Sequence, residues 1–228
     1  MNALLEIGVE HLPARFMAPA LKQLETLTAQ LLDEKRITYQ AVYAFGTYRR
    51  LVVVVEDIAD KSADVQKEVK GPPAKLLKDA AGNFTPQSAG FAQKNGIAPE
   101  KLTVVETDKG PFIYAVVKIK GEKTAKLLPE IFTRIVTGLE FAKNMVWEES
   151  GLRYGRPIRS LIGLYGGKII KFSVAGVESG RNTYPLSSFG RKPIKVEKAD
   201  KAYYTELLRS QPQPVLASPE ERKEALVK

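Results

Sequence analysis

Residues 49–57 read Arg-Arg-Leu-Val-Val-Val-Val-Glu-Asp, and the run Leu51-Val52-Val53-Val54-Val55 is β-branched and apolar at consecutive positions. Consecutive side chains of a strand point to opposite faces, so a run with no polar alternate predicts a central strand covered on both sides, ending at Glu56-Asp57. Upstream, Leu5, Ile7 and Val9 alternate with Glu6 and Gly8, which predicts a half-buried first strand. Between the two, Leu21, Leu24, Leu27, Leu31 and Leu32 recur at three-to-four spacing after Pro13, the pattern of an amphipathic helix reaching about Lys35.

Downstream, Val65–Pro73 changes character at Lys67, Lys70 and the Gly71-Pro72-Pro73 break, which sets a module boundary near residue 61. A short helix at Lys75–Asp79, a helix over Gln87–Asn95, and a hairpin of Leu102–Glu106 with Phe112–Ile119 follow. From Glu122 to about Lys143, the apolar residues Ala125, Leu128, Ile131, Phe132, Ile135 and Leu139 form a second helical stripe, with Pro129 inside it. Beyond Arg156-Pro157, residues Ser160–Tyr165 turn at Gly166-Gly167 and return as Lys168–Val174, a further hairpin. A strand at Ile194–Val196 and a helix holding Leu207 and Leu208 come next, and Ser218-Pro219-Glu220-Glu221 opens a last helix that suggests a chain cut short. The expected class is α+β, with two modules of mainly antiparallel sheet covered by amphipathic helices. Residues 1–60 with 148–200 would form a first, discontinuous module, residues 61–147 an inserted helix–hairpin–helix module, and residues 201–228 the start of a helical region.

Composition narrows the function classes. The chain has 228 residues, is 44% hydrophobic, and contains no cysteine and one histidine, His11. Disulfides, thiol chemistry and zinc ribbons are thereby excluded, a metal cage is not expected, and a reducing cytoplasm suits the composition. No signal peptide and no long apolar span is visible, so no membrane is expected. Neither a dinucleotide-binding nor a Walker glycine spacing occurs between a strand and a helix, so no cofactor is expected on this chain. Glu6, Glu10 and His11 could be read as acid/base groups, but carboxylates at a strand end more commonly serve as solvated or capping groups.

Charge is the stronger signal. Arg153, Arg156, Arg159, Lys168, Lys171, Arg181, Arg191, Lys192, Lys195, Lys198 and Lys201 face only Glu178, Glu197 and Asp200, so this window nearly accounts for the formal +9 of the whole chain. Residues 1–60 go the other way, with six basic residues against eight acidic ones. Such asymmetry draws phosphate to one region, whereas spread charge mainly confers solubility. Two clusters suit a polyanion. Arg49 and Arg50 follow Tyr48 at the mouth of the central strand, where guanidinium forks clamp phosphate. Arg153, Tyr154, Arg156 and Arg159 place three cations and an aromatic ring on one loop, a mixture suited to phosphate contact and base stacking. Lys168, Lys171 and Arg181 extend the candidate surface. For each arginine the alternative is an internal pairing with a carboxylate that fixes the loop.

The motif series Leu5-Glu6-Ile7-Gly8, Glu10-His11-Leu12-Pro13-Ala14-Arg15-Phe16, Thr47-Tyr48-Arg49-Arg50-Leu51, Gly71-Pro72-Pro73, Gly90-Phe91-Ala92, Leu127-Leu128-Pro129, Arg156-Pro157-Ile158-Arg159 and Ser179-Gly180-Arg181 resembles, in this order, the N-terminal part of the β subunits of bacterial heterotetrameric glycyl-tRNA synthetases. Tyr48, His11 and Val146 depart from the usual pattern, and Asn182–Phe189 lacks the usual Gly-His-Arg-Phe ending. The resemblance implies a non-catalytic region of a ligase that attaches glycine to tRNA(Gly) with ATP, the active site lying on an α subunit. It implies tRNA and the α subunit as partners and no DNA. A scaffold meeting an acidic protein face, with no RNA contact of its own, is the competing reading.

Overall fold

A computed structural model describes residues 1–184 and 192–227. Two compact units emerge, one made of Met1–Ser62 with Glu122–Lys228 and the other of Ala63–Gly121. In chain order the larger unit begins with β1 (Ala3–Val9), α1 (Ala14–Glu34), β2 (Ala41–Thr47) and β3 (Arg50–Glu56). The smaller holds β4 (Val65–Pro73), α2 (Pro86–Lys94), β5 (Thr103–Thr107) and β6 (Gly110–Ile119). The larger then resumes with α3 (Thr124–Thr137), β7 (Ile158–Tyr165), β8 (Lys168–Ile169), β9 (Ser173–Val174), β10 (Val177–Gly180), β11 (Asn182–Thr183), β12 (Ile194–Lys195), α4 (Lys201–Arg209) and α5 (Pro219–Val227). The chain is α+β.

The main sheet runs β2-β3-β1-β7-β10-β9, with β8 also on β7, and every pairing is antiparallel except β10 on β7. The Leu51–Val55 run lies inside this sheet, flanked by β2 and β1. Its two faces feed separate apolar layers: Val53 and Val55 join Leu5, Ile7 and Leu161 under α1 and α3, while Val52 and Val54 join Leu4, Ile162 and Leu164 against Tyr204 and Leu208 of α4. A sheet covered on both sides needs no polar alternate, which is the physical reason for the unbroken valines.

That second layer changes the reading of β1. All seven of its residues are buried, so it is a fully enclosed strand with Glu6 inside, and not a half-buried one. The expected second helix is also shorter, ending at Thr137, and its Leu128, Ile131, Phe132 and Ile135 pack into the core of the larger unit. The smaller unit therefore stops at Gly121, where residue 147 was expected, because the helical stripe is buried on the main sheet. Arg134 and Glu34, 2.7 Å apart, and Lys35 and Glu130, 2.7 Å apart, join α3 to α1. The expected return strand Lys168–Val174 is broken in two: after β8 the chain leaves β7, and β10 takes the neighbouring place in parallel. Gly163 allows this departure, since a Cβ there would lie 2.9 Å from the Ile170 carbonyl oxygen and 2.8 Å from the Phe172 ring.

The smaller unit is a three-stranded antiparallel sheet in the order β4-β6-β5, with Ile113 and Ala115 of the central strand packed against Ala92 and Leu102. Thr85 caps α2, its hydroxyl oxygen accepting from the Ser88 amide at 3.2 Å. Among the described residues no helix is long and apolar enough to cross a membrane.

Candidate functional site

At the end of β1, Gly8 lies opposite Arg50 on one side and Ser160 on the other. The register shifts between Gly8 and Val9, and the chain then threads between two basic segments. The Val9 amide donates to the Arg49 carbonyl at 2.9 Å and the Leu12 amide to the Tyr48 carbonyl at 2.7 Å, while the Glu10 amide donates to the Pro157 carbonyl at 3.0 Å. Arg156 Nε donates to the His11 carbonyl at 3.0 Å, closing the lacing from the other side. At Gly8 a Cβ would fall 2.1 Å from Ser160 Oγ, so a larger residue would need the Ser160 hydroxyl to turn away.

The result is a cleft of about 480 Å³ lined by Glu6, Glu10, His11, Arg49, Arg50, Arg159, Ser160 and Tyr184 among others. Three guanidinium groups and two carboxylates share it. Arg159 meets Glu10 at 3.5 Å, an exposed pair of the kind worth only about 0–1 kcal/mol, so its fork is available to a stronger anion. Arg49 is half-buried, and its Nε, shielded from solvent, has no hydrogen-bond partner among the described residues. His11 and Tyr48 add a ring pair with centroids 4.1 Å apart.

Arg50 behaves differently. It is 2% exposed and faces inward. Its Nη1 donates to Thr183 Oγ1 at 2.7 Å and its Nη2 to the Tyr184 carbonyl; Thr183 Oγ1 donates in turn to Glu6 Oε1 at 2.7 Å, and Tyr204 OH donates to Glu6 Oε2 at 2.6 Å. Burial works to lower the Arg50 pKa, but the Tyr204 and Glu6 groups outweigh it and hold the guanidinium above its ordinary value. Arg50 is therefore a buried pairing partner that ties β3 to the Thr183–Tyr184 segment, and the expectation that it clamps phosphate at the strand mouth does not hold.

Tyr154 is a second correction. It is fully buried, with its ring 4.8 Å from that of Phe141 and 6.3 Å from that of Trp147, so it packs the core and offers no face to a base. Its neighbours in the loop divide. Arg153 and Arg159 are exposed, whereas Arg156 is held by the His11 and Gly155 carbonyls.

The remaining candidates sit elsewhere. Arg159 and Tyr165 are six strand steps apart, about 20 Å, and Lys168 follows the turn beyond Tyr165. Near that far end Arg181 pairs with Glu197 at 3.1 Å and donates to the Gly167 carbonyl at 2.9 Å, and Lys195 reaches Glu197 at 3.0 Å. The Lys195 contact first, and the Arg181 charge with it, hold the Glu197 carboxyl below its ordinary value. Lys168 is exposed, and Lys171 is exposed with Nζ 3.4 Å from the Ser179 carbonyl. Arg153 and Arg159 thus lie at one end of β7 and Lys168, Arg181 and Lys195 near the other, while Lys171, beside Ser179 and so alongside Leu161, belongs to neither end. Arg191 and the Pro185–Phe189 part of the atypical segment lie outside the described residues.

Ser160 and Tyr184 line the cleft but were not among the candidates, and Glu10 and His11 were weighed only as acid/base groups. Their spacing along the chain carries no signal: the pairing of β1 with both β3 and β7 brings Glu10, His11 and Ser160 beside Arg49 and Arg159, and the Arg50 bond to the Tyr184 carbonyl brings Tyr184.

Residues 3–228 match the profile of a family described as glycyl-tRNA synthetase beta subunit. The chain belongs to this family. Similar proteins include the glycine–tRNA ligase beta subunits of Shouchella clausii, 39% identical over 98% of this chain and 32% of the relative, and Halalkalibacterium halodurans, 40% identical over 98% and 31%. That of Bacillus subtilis is 39% identical over 99% of this chain and 32% of its own length. The chain spans about a third of the length of these glycyl-tRNA synthetase beta subunits.

Proposed function

We propose that this chain is a tRNA-binding and subunit-assembly region of a glycine–tRNA ligase, working in the cytoplasm beside an α subunit that carries the active site for glycine and ATP. In this reading the enzyme is a heterotetramer and the chain lends RNA contact to the attachment of glycine to tRNA(Gly). The observation that carries it is the arginine-lined cleft at the end of β1, where Arg49 and Arg159 open onto the same space and Arg153 is exposed on the loop that enters β7. Guanidinium forks at an exposed edge suit phosphate oxygens, which accept two parallel hydrogen bonds.

The test is Arg153→Ala with Arg159→Ala in the complete enzyme. Neither side chain has a hydrogen bond among the described residues and Arg159 makes only the exposed pair with Glu10, so folding should be little affected and glycine-dependent ATP–pyrophosphate exchange should stay near the parent rate. Attachment of glycine to tRNA should lose efficiency through a raised KM for tRNA. Unchanged aminoacylation at limiting tRNA would overturn the RNA role of this edge and favour the scaffold reading.

A further inference from the structure

The sheet of the smaller unit has a second face. Strand alternation places Ile113 and Ala115 of β6 on the side covered by α2, and therefore Phe112, Tyr114 and Val116 on the other. Val105 pairs with Phe112, Thr103 and Lys70 both pair with Tyr114, Glu68 pairs with Val116 and Gln66 with Lys118. None of Phe112, Tyr114, Val116 and Val105 takes part in an apolar cluster among the described residues. The two aromatic residues are half-buried, and Val105 is exposed.

We propose that this open face is a stacking platform for single-stranded RNA, two or three nucleotides long, distinct from the arginine-lined cleft. Three observations favour RNA over an apolar protein segment. Phe112 and Tyr114 are two residues apart on the central strand, so they project from one face with Cα atoms about 7 Å apart, one ring for each of two successive bases. Lys70 Nζ sits over the Phe112 ring, 3.5 Å from its centroid, so the flexible lysine covers the face as a cation–π partner, and a stacking base would displace it toward the nucleotide's own phosphate. The rest of the face is polar and basic, with Lys70, Lys118, Thr103 and Gln66 against the single acid Glu68, and residues 63–121 hold nine lysines against six acidic residues. Aromatic rings on a middle strand, a helix behind the sheet and lysines around the rings form the arrangement by which sheets hold unpaired bases. Duplex RNA keeps its bases stacked on each other and cannot use such a face. The proposal rests on the reading that this chain binds RNA.

The experiment measures fluorescence anisotropy of a labelled ten-nucleotide oligoadenylate, and separately of a ten-base-pair RNA duplex, with the 228-residue chain. Phe112→Leu with Tyr114→Leu keeps apolar bulk and removes both rings; single-strand affinity should fall at least about tenfold, with duplex affinity unchanged. Tyr114→Phe should bind within about twofold of the parent. Lys70→Gln should shallow the logarithmic salt slope for the single strand by about 0.7. Should the double leucine variant melt early, Val116→Glu tests the same face by placing a negative charge beside the rings, and it should also weaken the single strand selectively. Equal loss for single strand and duplex, or no loss in either the leucine or the glutamate variant, overturns the platform. So does a variant that keeps its RNA affinity and loses affinity for the α subunit, which would make the face a protein contact. If the oligonucleotide arm fails while charging by the complete enzyme still depends on Arg153 and Arg159, the platform falls alone and the cleft reading stands.

Discussion

Two buried tyrosines with the same exposure have opposite roles, and their replacement by phenylalanine should separate them. Tyr204 OH donates to Glu6 Oε2 at 2.6 Å, inside the network with Thr183 and Arg50. Loss of a buried hydrogen bond to a charged group costs about 1.5–3 kcal/mol, so Tyr204→Phe should lower stability by that order in urea unfolding. Tyr154 OH is buried without a partner among the described residues, so Tyr154→Phe removes an unsatisfied hydroxyl and should leave stability equal or higher. Burial pushes both phenols above the ordinary tyrosine value of 10.0, and for Tyr204 the Glu6 charge adds to it. The folded chain therefore keeps two protons that the unfolded chain releases above 10.0, so stability is full below that pH and falls as pH rises past it. Melting temperature scanned upward from pH 9 should fall less steeply in either phenylalanine variant than in the parent. Arg50→Met should be more damaging than either, because it removes two hydrogen bonds from a buried charged group, each worth about 1.5–3 kcal/mol, and takes away the cation that faces the buried Glu6 carboxylate through Thr183. The partners of Arg50 lie 133 and 134 residues away, and those of Glu6 177 and 198, which is why the sequence could present Arg50 as a phosphate ligand but could not show where its fork points.

Among the elements, the periodic ones were legible and the irregular ones were not. The stripes of α1 and α3 and the hairpin of β5 with β6 follow directly from apolar spacing. Strands β2, β4 and β10 escape because they lack a clean alternation: β4 has Lys67, Glu68, Lys70 and a Gly71-Pro72-Pro73 end, and as an edge strand it tolerates both charge and proline. The α1–α3 joint has a testable acid dependence. The hydrogen bond from Arg134 holds the Glu34 carboxyl below 4.5, so the stabilisation is present above that pH and is lost as pH falls through the lower folded value. Glu34→Gln should flatten this part of the acid-unfolding curve, and a curve identical to that of the parent would show the pair to be energetically idle. At the departure from β7, Gly163→Ala should cost about 1–3 kcal/mol, since the Ile170 carbonyl oxygen that meets the new methyl is backbone and cannot swing aside.

At the scale of the whole molecule the two units have separate cores, so damage in one should stay there. Ile113→Ala opens a cavity beside Ala92 and Leu102, and in hydrogen exchange it should lower protection within 63–121 and leave the amides of β1, β3 and β7 as slow as before. The charge asymmetry lies elsewhere in the fold: Arg49 and Arg159 line the cleft at one end of β7, and Arg181 and Lys195 near the other end are partly neutralised by Glu197. The sequence shows the charge but not the division, since six residues look adjacent in the chain and become about 20 Å when extended. The most direct test is the salt dependence of tRNA binding by the complete enzyme, for the parent and for Arg153→Ala with Arg159→Ala. Two phosphate contacts at the arginine edge predict weaker binding and a logarithmic salt slope shallower by about one to two units. A variant that melts like the parent and keeps both its affinity and its slope would contradict RNA contact at this edge.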